Sequence, residues 1–90
     1  MPSTDQYGQT IMTLDDEARY KIIQNDRDVI GGPTSLTGRE FKNLLDKAHI
    51  NYSIDKYYSW TYIIFKFYVE QNPEYASADQ LYDAIKNLLK

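Results

Sequence analysis

Between Ile54 and Asn72 the chain crowds together Tyr57, Tyr58, Trp60, Tyr62, Ile63, Ile64, Phe65, Phe67 and Tyr68. A segment this apolar has to be largely buried, so the rest of the chain must supply its cover. Two rules compete over its type. Aromatic and β-branched residues favour a strand. Read as one element, however, the run exceeds the usual strand length of about 3 to 10 residues. At 100° per residue, Asp55, Lys56, Ser59, Lys66 and Glu70 also gather within about 100° of arc, with Ile54, Tyr57, Trp60, Thr61, Ile64, Phe65 and Tyr68 opposite. On that count the segment is expected to be a single helix, capped by Ser53 and closed by Asn72-Pro73.

Two further helices carry local start signals. Thr37 with Glu40 three residues later forms a capping box, and Leu36 with Phe41 a hydrophobic staple. Phe41, Leu44, Leu45 and Ala48 then follow the i, i+3, i+4, i+7 pattern of a buried stripe, ending around His49. Ser77 with Gln80 repeats the box, Ala76 on Leu81 the staple, and Leu81, Ala84, Ile85, Leu88 and Leu89 the stripe of a helix from Ala78 to Lys90. A weaker first helix starts at Thr13, with Asp15, Asp16 and Glu17 against the positive end of its dipole, and ends near Asn25. Whether 26–30 continue it is open. Gly31-Gly32-Pro33 then breaks the chain.

Residues 1–12 show neither period and are expected to be a flexible tail. The expected architecture is therefore all-α: a small bundle of three to four helices around a central aromatic helix, with 13–90 as a single helical domain.

Chemistry is bounded by what is missing. There is no cysteine, which removes disulfides, thiolate catalysis and Cys-based zinc sites and suggests a reducing, cytoplasmic setting. No apolar stretch reaches the roughly 18 residues of a membrane span, and no leader pattern is visible, so no membrane association is expected. The triplet Asn51-Tyr52-Ser53 then carries no glycosylation meaning.

Net charge is −3, with six acids against three bases in 1–33 and seven of each in 34–90. No basic run marks a phosphate-backbone partner.

Candidate sites are few. Asp26, Asp28 and Gly31 echo the start of a calcium loop, but Ile30 takes a ligand place and Thr37 stands where the bidentate Glu belongs. His49 is the only histidine. It has no visible co-ligands and no nucleophile partner, and the end of a helix suits it better. Gly31 to Ser35 before a helix, with Arg39, lacks the lysine and spacing of a phosphate loop. No catalytic residue, metal or cofactor is expected.

A helix-turn-helix DNA reader has the right proportions over 38–72, yet its second helix opens Asp55-Lys56-Tyr57-Tyr58 and turns apolar, against the polar surface that base reading needs. The favoured expectation is a non-enzymatic protein-interaction module, an adaptor, inhibitor or regulatory subunit. Its contact patch is Tyr62, Ile63, Lys66 and Phe67, and its partner is another protein or a second copy. The competing reading of Ile63 and Phe67 is covered core.

Overall fold

The computed structural model describes residues 3–4, 10–11, 17–59 and 62–90. A short antiparallel ladder joins β1 (Ser3–Thr4) to β2 (Thr10–Ile11). Then come β3 (Glu17–Gln24), β4 (Arg27–Thr34), α1 (Gly38–Lys47), β5 (Ser53–Ser59), β6 (Tyr62–Tyr68), a single 3-10 turn at Val69–Gln71, and α2 (Ala78–Leu88). The four longer strands form one mixed sheet in the order β4-β3-β6-β5. Each hairpin pairs antiparallel, and the two hairpins meet through parallel pairing of β3 with β6.

The all-α expectation is thereby corrected. The aromatic run is a hairpin, not a central helix. Divided after Ser59, it becomes two strands of 7 residues each, and the length objection disappears. In β6 every second residue is buried and the others are half-buried, the period of a strand between two unlike faces. The helical period sets Ile64 on the apolar side and leaves Ile63 and Phe67 at the polar arc, whereas the strand buries Ile63 and Phe67 and leaves Ile64 half-buried on the other face.

The proposed first helix is also a hairpin. Asn25 (φ 54°) and Asp26 (φ 62°) both adopt left-handed backbone at the link between β3 and β4. That is the two-residue geometry that matches strand twist, and Asn and Asp tolerate it better than most residues. The expected helical start at 13–16 lies outside the described residues. So does most of the expected flexible tail 1–12, of which 3–4 and 10–11 are paired as β1 and β2. With β5 following α1, the described residues of 38–72 form no helix-turn-helix.

The two capped helices stand. At α1 both arms of the Thr37–Glu40 box form. At α2 the Ser77 hydroxyl accepts from the Gln80 amide, while Gln80 Oε1 accepts from the amide of Ala76 at 2.9 Å. α1 ends with its last carbonyls bound: the His49 amide donates to Asp46 at 3.2 Å and the Ile50 amide to Leu45 at 3.0 Å. His49 (φ 59°) holds the left-handed position that usually takes glycine.

Both helices pack on one face of the sheet. Ala18, Tyr20 and Ile22 of β3 and Ile63, Phe65 and Phe67 of β6 meet Phe41 and Leu45 of α1 and Leu81 and Ile85 of α2 in a single core. The Phe41 ring stands edge-on to Phe65 at 4.9 Å between centroids and to Tyr20 at 5.8 Å, the arrangement aromatic quadrupoles favour.

A buried Asn72 side chain ties the loop before β5 to the end of β6. Its Oδ1 accepts from the Asn51 amide at 2.7 Å, and its Nδ2 donates to the carbonyls of Asn51 and Tyr68, each at 3.0 Å.

Candidate interaction face

The opposite face of the sheet carries no helix among the described residues. Register decides which side chains it holds, because paired residues on neighbouring strands share a face. Arg19, Lys21 and Ile23 of β3 align with Ile64, Lys66 and Tyr68 of β6. Pro33, Ile30 and Asp28 of β4 flank the first three, and Ser59, Lys56 and Ser53 of β5 flank the β6 side. Two register shifts in β5 let consecutive residues reach this face, bringing Asp55 and Tyr58 onto it as well.

At the centre lies an ion cluster spanning three strands. Lys21 Nζ is 3.2 Å from Asp55 Oδ2, and Lys66 Nζ is 3.8 Å from Asp55 Oδ1. Two ammonium groups therefore share one carboxylate. Their side chains are partly sheltered, at 33 %, 26 % and 23 % exposure for Lys21, Lys66 and Asp55.

Lys66 also stands 5.3 Å from the centre of the Tyr68 ring. A side-chain hydrogen bond with Tyr68, opposed by burial and aided by Asp55 and Asp28, raises the Lys66 pKa above its ordinary value, so it stays charged. Beyond the cluster the Tyr58 and Tyr62 rings meet edge-on at 5.1 Å. Tyr58 is 63 % exposed and Ile30 68 %, so aromatic and aliphatic surface frames the charges.

The four residues expected to form one patch are split by this geometry. Tyr62 and Lys66 lie on the helix-free face, whereas Ile63 and Phe67 are buried in the core beneath the helices. Ile63 and Phe67 share a face in a strand as they do on a helix, but residues an odd number apart do not, so the i, i+3 relation of Ile63 to Lys66 is lost and Tyr62 and Lys66 turn to the other side. Lys21, Tyr58, Ile64 and Tyr68 join Tyr62 and Lys66 on this face without having been expected there, and Asp55 and Lys56, expected on one arc with Lys66, were not expected in the contact patch. The alternation from Tyr62 to Tyr68 is a local signal for Ile64 and Tyr68 alone, because the others come from other strands.

Elsewhere, a groove between α1 and α2 has Leu36, Leu44, Leu88 and Leu89 as its apolar lining, with Glu40 and Lys47 among its polar members. His49 is exposed in its turn. No group of three or more His, Cys, Asp or Glu among the described residues is placed to hold a metal ion. No described helix is long and apolar enough to cross a membrane. Comparison with known proteins returns no match, whether to family models, curated proteins or solved structures.

Proposed function

We propose that this chain is a non-enzymatic protein-binding module whose working surface is the helix-free face of its sheet. One observation carries the reading: the two central strands bury one face in the core and present, on the other, a half-exposed mixture of aromatic, aliphatic and paired charged side chains with no cover among the described residues. Antiparallel and mixed sheets tolerate a solvated face, but that face is then ordinarily polar. Here Tyr58, Tyr62, Ile64, Tyr68 and Ile30 occupy it, and aromatic surface with a charged rim is the composition of interface hot spots. Self-association through the same face is one form of this reading.

The test is site-specific. A photo-crosslinking residue replacing Ile64 should capture the partner, or a second copy, while one replacing Lys86 on α2 should not. Tyr58→Ser combined with Tyr62→Ser should abolish capture and leave the melting temperature within a few degrees. Equal capture from both positions would overturn the assignment, and sedimentation of the uncrosslinked chain separates self-association from a foreign partner.

A further inference from the structure

We infer that the partner meeting this face is an acidic protein segment that seats a carboxylate between Lys21 and Lys66. The inference rests on the docking reading above and specifies the chemistry of its partner. Its basis is the charge imbalance at the centre of the face. Lys21 and Lys66 converge from adjacent strands on the single carboxylate of Asp55, with Asp28 adding a weaker attraction at Lys66. Among the described residues the register sets Arg19, Lys21, Lys56 and Lys66 on this face against Glu17, Asp28 and Asp55, a surplus of one positive charge.

In the free protein, water meets that imbalance. Covering the face with a partner removes the water, and a desolvated charge without a counter-ion is strongly unfavourable. A partner that buries Tyr62, Ile64 and Tyr68 must therefore bring an anion to the gap between the two lysines, or forfeit much of the binding.

A carboxylate suits the site better than a nucleic-acid strand. The chain carries net charge −3, and a phosphate backbone gains affinity from many cations acting together. Among the described residues this face offers three lysines, and Arg19 engaged in a contact of its own, against three carboxylates. One local acid matched to one surplus cation needs no such array.

The probes are a short peptide alternating Glu and Val, its Gln–Val counterpart, and an oligodeoxythymidylate of the same length. Each is titrated into the isotope-labelled 90-residue chain while backbone amide shifts are followed. The Glu–Val peptide should shift amides of Lys21, Asp55, Ile64 and Lys66 and bind more tightly than the other two. Lys66→Gln or Lys21→Gln should weaken it by roughly threefold to tenfold.

Asp55→Asn should tighten it by roughly threefold or more, because the internal carboxylate that competes for both lysines is gone. A merely structural Asp55 predicts the reverse sign. Equal binding of the Gln–Val peptide, tighter binding of the oligonucleotide, or weaker binding after Asp55→Asn would each overturn the inference. Should Asp55→Asn fail to fold, the two lysine variants decide alone. If the Glu–Val peptide fails while Tyr58→Ser with Tyr62→Ser still abolishes partner capture, the acidic partner is wrong and the docking face stands.

Discussion

The ring of Tyr20 fills the space that any side chain on Gly31 would need, since a Cβ built there would stand 1.7 Å from Tyr20 Cε2. Gly31 is the extra residue of β4, inserted where the pairing of β3 shifts between Tyr20 and Lys21. Neighbouring Gly32, opposite Tyr20, takes φ 123°, which L side chains rarely adopt. The pair of glycines thus serves a bulge and a ring contact, and Pro33 sits on an edge strand, the place in a sheet that tolerates proline.

Gly31→Ala should accordingly destabilise the fold by at least about 1–3 kcal/mol, the cost of overpacking a filled interior. Tyr20→Leu in the same chain should recover part of that loss. Urea unfolding of both singles and the double measures the coupling, and strictly additive losses would show that the ring contact is not the cause.

Phe67→Ala should cost about 3–5 kcal/mol, as for other fully buried aromatic side chains. Tyr62→Ser, five residues earlier but on the open face, should cost within about 1 kcal/mol. Similar losses at both positions would mean that the face is covered.

Tyr20 is buried, and burial first, then the charge and hydrogen bond of Tyr82, push its pKa from 10.0 to about 12. The neutral phenol is the form the fold accepts, so its contribution is whole below about pH 10 and is lost as pH rises through about 12. Two pKa units correspond to about 2–3 kcal/mol. Between these limits the stability of the native sequence should fall more steeply than that of Tyr20→Phe, and parallel pH profiles from chemical denaturation would contradict the assignment.

His49→Gly should raise stability by about 0.5–1 kcal/mol, because the left-handed residue closing α1 loses its Cβ penalty while its amide still binds the Asp46 carbonyl. Thermal melting checks it. A loss instead of a gain would show that the imidazole itself, and not the backbone turn, caps the helix.

The signals legible along the chain are local ones. The caps at Thr37 and Ser77 act over three residues and the stripes of α1 and α2 over two turns, so both helices are legible without a partner. Sheet membership is decided over longer distances. Whether Ile54 to Asn72 is one long helix or two short strands depends on a reversal between Ser59 and Tyr62, and on β3, more than thirty residues upstream, lying ready to pair with β6.

Helical and strand periods both place Lys66 away from Phe65, so charge placement alone could not separate them. The tertiary structure decided it by giving β6 a covered face and an open one. Only that decision moves Ile63 and Phe67 into the core and draws Lys21, Asp55 and Lys66, from three different strands, into one cluster. The reason is physical: a helix satisfies its backbone hydrogen bonds within itself, whereas a strand leaves them to neighbours that the local sequence does not name.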